Sequence, residues 1–67
     1  MFINNKMYAP QYAYRLRKMI NDVVDQYGHS HPQSVIFVAL CDKHKDANNF
    51  RILLKIMKKY KQIMGGK

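Results

Sequence analysis

Residues 35–41 are apolar without a break, Val-Ile-Phe-Val-Ala-Leu-Cys, and no other stretch of the chain is apolar on every side. Whatever core this chain builds must include that run. The flanking segments must close over it, because a chain of 67 residues makes one domain at most and buries a modest share of its surface. Disulfides are not available to staple it, since Cys41 is the only cysteine. A lone cysteine within an apolar run acts as a small hydrophobe and fits a reducing compartment. The expected location is cytoplasmic. No secretory leader is expected, because the first residues lack an apolar core, and seven consecutive apolar residues fall far short of a membrane span.

The run follows a polar turn, Gly28-His29-Ser30-His31-Pro32-Gln33. Ser30 and Gln33 have the spacing of a capping box, and Pro32 suits a first helical turn. These features predict a helix over residues 31–44 that starts from Ser30. The β-branched Val35, Ile36 and Val38 leave a buried strand as the alternative. Upstream, Pro10 opens a second helical segment. Its apolar residues recur at 12, 13, 16, 19, 20, 23, 24 and 27, and Gly28 follows at the position of a C-cap. A helix over residues 10–27 is expected, with Tyr12, Leu16, Met19, Ile20, Val23 and Tyr27 as core. Arg15, Lys18, Asp22, Asp25 and Gln26 then face solvent, the acids as ion-pair partners of the bases.

Downstream, residues 42–49 turn the chain, with Asp46, Asn48 or Asn49 available as a cap. Residues 48–64 read as a basic amphipathic helix. Its apolar arc runs through Phe50, Leu53, Leu54, Met57, Tyr60 and Met64 and is widened by Ile52, Ile56 and Ile63. One neighbouring helix does not cover so wide an arc, so a subunit interface is expected. Residues 1–9 alternate loosely and form an arm or a short strand. The expected fold is therefore all-α, a small three-helix domain with a possible N-terminal strand, that self-associates as a homo-oligomer.

Twelve Lys and Arg oppose four acids, for a net charge of +8. So basic a chain binds polyanions readily through counterion release. The candidate contacts are Arg15, Arg17 and Lys18 on the first helix and Lys43 and Lys45 after the second. The third helix adds Arg51, Lys55, Lys58, Lys59 and Lys61. Arg51, Lys55, Lys58 and Gln62 follow one helical ridge, a spacing able to track a phosphate backbone, and Asn4, Asn5, Asn48 and Asn49 add hydrogen-bonding groups. A basic amphipathic helix also suits an anionic membrane surface, but its apolar face has a better use as core.

Catalytic and metal chemistry fit less well. His29-x-His31 and Cys41-x-x-His44 supply zinc-type donors, yet one helix over this segment holds them about 15 Å apart. The four acids, Asp22, Asp25, Asp42 and Asp46, form no acid–base pair with a nucleophile, and no glycine-rich phosphate loop is present. No cofactor, no metal and no enzymatic activity are expected.

From FINNKMY through the first helix, Gly28-His29-Ser30 and the apolar run, the chain resembles the ribbon-helix-helix repressors. The likeness covers roughly the first 40 residues and leaves the third helix outside. It implies a second helix buried at a dimer interface. It also implies that Asn4 and Lys6 read the major groove and that Ser30 holds a phosphate. In general type the chain is similar to small regulatory proteins of bacteriophages, which implies a host-cytoplasmic setting. The reading is a non-enzymatic nucleic-acid-binding regulator, with DNA ahead of RNA. The alternative is a small modulator or inhibitor, of the host-takeover or anti-defence type, that docks on an acidic surface of a larger protein.

Overall fold

In the computed structural model, which describes residues 5–65, three helices follow one another. They are α1 (Ala9–Tyr27), α2 (Pro32–Lys43) and α3 (Phe50–Gly65). The apolar run is helical, and the strand alternative is excluded for it. The chain is all-α. Among the described residues its arm contributes one antiparallel bridge, Lys6 with Asn49, closed by Met7 N–H to Asn48 O at 2.7 Å and Phe50 N–H to Asn5 O at 2.6 Å. The bridge does not lengthen into a strand pair. Asn48 turns into the left-handed region at φ 47° and α3 begins at Phe50, so the partner segment is too short. Residues 1–4 of the arm lie outside the described residues.

Each helix starts and stops for a local reason. Gly28 closes α1 at φ 96°, where a side chain would be strained, and its N–H bonds Val24 O at 2.7 Å. The cap of α2 differs from the sequence expectation. His31 is the N-cap, not Ser30, and its Nδ1 accepts the Gln33 N–H at 3.0 Å. The cause is Pro32, whose ring disfavours helical backbone in the residue before it. His31 is held extended at φ −69°, ψ 139°, so the helix starts one residue later than a Ser30 cap requires. The His31 ring also packs on Tyr27, with centroids 4.7 Å apart. For α3 the cap is Asn49, whose Oδ1 accepts from Arg51 and Ile52 at 2.8 and 3.3 Å.

The core is a seam of Tyr12, Leu16, Met19 and Val23 from α1, Phe37 and Cys41 from α2, and Leu53, Ile56 and Ile63 from α3. Spacings of three and four put each set on one side of its helix. Within one chain the apolar run is buried on one side only. Within the chain, α2 turns Ser34, Phe37 and Cys41 inward, while Val35 and Ile36 remain 56% and 49% exposed. A bundle of three helices covers one side of each member, and a helix apolar on every side must leave part of that surface outside. The wide arc of α3 is shared between its two neighbours, with Phe50 and Leu54 left half-exposed.

Three tyrosine hydroxyls tie the elements together. Tyr12 donates to His44 O at 2.6 Å, Tyr27 to Ile63 O at 2.6 Å, and Tyr60 to Asp22 Oδ2 at 2.8 Å. Both ends of α1 are thereby fixed. Its start lies by the α2–α3 connection and its end by the end of α3. Helices α1 and α3 therefore run the same way, and α2 runs against them.

The ties and the core thiol predict a pH dependence. The Tyr60 hydroxyl is raised above its ordinary value, first by its bond to Asp22, then by burial and the carboxylate charge. Tyr12 is raised by burial and then by Cys41, and burial pushes the Cys41 thiol from 9.0 up to about 11. All three are neutral acids that ionise less readily folded than unfolded. Their stabilisation is complete below the unfolded values and is lost as pH climbs through the folded ones. Thermal melts are expected to fall from about pH 9 to above pH 11, with Cys41 alone accounting for roughly 2–3 kcal/mol. A Cys41→Ala variant, less stable at neutral pH, is expected to fall less steeply over that window.

Candidate nucleic-acid interface

The ten candidate cations do not converge on one point; α1 and α3 divide them into groups. Arg51, Lys55 and Lys58 are exposed on the side of α3 opposite Leu53, Ile56 and Ile63. Gln62 completes this ridge. Lys61 lies at its edge toward α1 and lines the α1–α3 cleft with Arg15, Lys18, Met19, Asp22, Met57 and Tyr60. Lys58 and Lys61 are one helical turn apart, so the ridge and the cleft form a continuous basic face. Six of the ten cations belong to it: Arg15, Lys18, Arg51, Lys55, Lys58 and Lys61.

The other four lie elsewhere. Arg17 and Lys45 border a groove between α1 and α2, whose floor includes Leu16, Ile20, Val38 and Cys41. Lys45 is within 3.8 Å of Asp42, an exposed pair that adds little stability and offsets part of the local charge. Lys43 ends α2 on its outer side. Lys59 is half-buried at the other edge of α3 and lines a polar recess with Tyr27, Gln33 and Gln62.

Asp22 also departs from expectation. It is half-buried and bonded to Tyr60 rather than paired with Arg15 or Lys18. Position 22 is one turn beyond Lys18 on the flank of α1 that meets α3, where Tyr60 reaches it. Arg15 and Lys18 are therefore not neutralised by an ion pair among the described residues, and the cleft keeps a net positive charge. The spacing within one helix carries no sign of this tie, which joins residues on two different helices.

The remaining candidates are placed as follows. Ser30 is exposed in the turn before α2, and Lys6 is exposed at the bridge to Asn49. Asn4 lies outside the described residues. Of the zinc-type donors, His31 is used as a cap and Cys41 is buried in the core with its thiol held protonated. Among the described residues no three His, Cys, Asp or Glu side chains are grouped to hold a metal ion. No helix of these residues is long and apolar enough to cross a membrane.

Comparison with protein-family models, curated proteins and solved structures finds no match to the chain. Its functional reading rests on this surface and on the charge of the whole chain.

Proposed function

We propose that the protein is a small non-enzymatic nucleic-acid-binding regulator that acts mainly through phosphate contacts, with DNA ahead of RNA as its target. The observation that carries this reading is the basic face that runs from Arg51, Lys55 and Lys58 across Lys61 to Arg15 and Lys18. No acid interrupts the α3 part of it. Phosphate contacts position a protein without reading sequence, so the expected binding is weakly selective and steeply salt-dependent. Of the positions matched to the ribbon-helix-helix repressors, Lys6 lies beside the start of α3 that carries Arg51, and Ser30 lies apart from the face in the turn before α2. The test is binding to duplex DNA and RNA across a salt series. Tight binding at low salt that weakens steeply as salt rises supports the reading, and absence of affinity at low salt refutes it.

Self-association belongs to the same proposal. The outer side of α2 carries Val35, Ile36 and Ala39 with Val38 beside them, and its charges, Asp42 and Lys43, are confined to its last two residues. A second copy that pairs this side with its own finishes the burial that the bundle leaves incomplete. Sedimentation velocity is expected to show a concentration-dependent dimer. Ile36→Lys is expected to leave only monomer with an unchanged fold by circular dichroism. A wild-type chain that stays monomeric at the highest concentration rules the dimer out.

A second reading, the modulator that docks on an acidic surface of a larger protein, is favoured by the groove between α1 and α2. Its apolar floor lies between Arg17 and the Lys45–Asp42 pair, so Arg17 is the cation that a partner carboxylate beside an apolar anchor would meet. Stoichiometric capture of one protein partner, unaffected by nuclease, distinguishes this reading from the first.

A further inference from the structure

The chain has five tyrosines, and the fold uses three of them as ties. The other two differ. Tyr8 is 73% exposed and Tyr14 is 59% exposed. Tyr14 stands two residues from Tyr12, which turns it well away from the core side of α1. Arg17, Lys18 and Asn21 follow it at three, four and seven residues, so they lie along the same flank, and the four side chains line one shallow recess.

A ring left in water between two cations and an amide is poor packing and suitable recognition chemistry. The aromatic face accepts a planar, electron-poor partner by stacking. The cations flank it with charge for a phosphate, and the Asn21 amide offers both a donor and an acceptor to a base edge. Lys18 belongs to two neighbourhoods. It lines this recess, and it lines the α1–α3 cleft with Arg15 and Lys61. The recess is therefore joined to the basic face, and a strand whose phosphates follow that face passes beside Tyr14.

A base within a duplex is already stacked on both sides and is not available to a surface ring. An unpaired base is. We propose that Tyr14, with Arg17, Lys18 and Asn21, is a stacking platform for an unpaired nucleobase. The ligand class is then a single-stranded segment of DNA or RNA whose backbone continues across Arg15 and Lys61. This rests on the nucleic-acid reading above and deepens it, from phosphate contact in general to recognition of unpaired bases.

The experiment measures fluorescence anisotropy of a labelled oligothymidylate, the matching oligouridylate, a duplex, and an abasic oligonucleotide of equal length and charge. Each is titrated with the full chain as wild type, Tyr14→Phe and Tyr14→Leu. The single strands are expected to bind more tightly than the abasic probe. Tyr14→Leu is expected to weaken single-strand binding about 5- to 100-fold, the range for loss of one stacked base, with the salt slope unchanged. Tyr14→Phe is expected to retain binding, and duplex affinity is expected to be unaffected by either change. Equal losses on the DNA and RNA strands fit stacking, which does not read the sugar. Loss on one strand type alone assigns the platform to that type. Equal binding of abasic and base-bearing probes by the wild-type chain overturns the platform and leaves the phosphate-contact reading in place. So does a Tyr14→Leu loss shared by the duplex. Absence of binding to every probe at low salt overturns both.

Discussion

Phe37→Ala is expected to abolish the cooperative thermal transition of this chain near room temperature. The ring is 0% exposed, lies at the centre of the seam that α1, α2 and α3 share, and packs on Tyr60 with centroids 6.1 Å apart. Truncating a buried phenylalanine costs about 3–5 kcal/mol, part lost transfer energy and part unfilled cavity. Small domains start from the low end of the usual 5–15 kcal/mol, so the variant retains little or no net stability. Ile36→Ala is the control. It removes an aliphatic side chain of the same run, one residue away, but Ile36 is half-exposed on the outer side of α2. At protein concentrations low enough to keep the chain monomeric, its cost is expected to stay below about 1 kcal/mol. Urea titrations followed by circular dichroism at 222 nm measure both. Comparable losses at the two positions contradict the helical register that turns Ser34, Phe37 and Cys41 inward.

That register also marks where the sequence was legible. The periodicity of α1 and α3 gave both helices to within about two residues, because an apolar stripe of three-and-four spacing is itself the signature of a one-sided core. The Gly28 cap was readable for a similar reason, since its chemistry is local, whereas the cap of α3 was narrowed only to Asp46, Asn48 or Asn49, of which the fold uses Asn49. The run at 35–41 has no stripe, so nothing in it tells which side faces inward. Its inner face includes Ser34, a small polar residue outside the run that is buried with Phe37 and Cys41 although its hydroxyl has no hydrogen-bond partner among the described residues. The Ser30 cap failed because two local rules competed. The backbone restriction imposed by Pro32 on His31 overrode the better capping side chain.

The candidate surface was legible in composition and only partly in arrangement. Sequence identified the ridge Arg51, Lys55 and Lys58, because residues on one helix share a face by spacing alone. Its union with Arg15 and Lys18 depends on α1 and α3 running parallel in contact, as the Tyr27 and Tyr60 hydroxyl bonds hold them. No spacing rule relates residue 18 to residue 61. Equally, nothing in the sequence separates Arg17 from Lys18. In the fold both line the Tyr14 recess, but Arg17 also borders the α1–α2 groove and Lys18 the α1–α3 cleft.

The arrangement, rather than the net charge, is what a matched pair of charge variants tests. The first variant replaces the ridge, Arg51→Gln, Lys55→Gln and Lys58→Gln. The second replaces cations off the basic face, Lys43→Gln, Lys45→Gln and Lys59→Gln. Both lower the net charge from +8 to +5, three charges in each case. All three ridge side chains are exposed and outside the core, so the first variant is expected to keep its fold. If long-range attraction alone drives binding, the two variants weaken it equally. If phosphates sit on the ridge, each lost contact also removes about one released counterion. The ridge variant is then expected to lose two to three units of the log–log salt slope and roughly 100- to 1000-fold in affinity near 0.1 M salt. The off-face variant is expected to lose less than one unit of slope and about 10-fold at most, since its charges act on the polyanion only through a screened field. Anisotropy titrations over a salt series give slope and affinity together. Equal slopes in the two variants remove the basic face as a binding site and leave the charge of this chain as a bulk property.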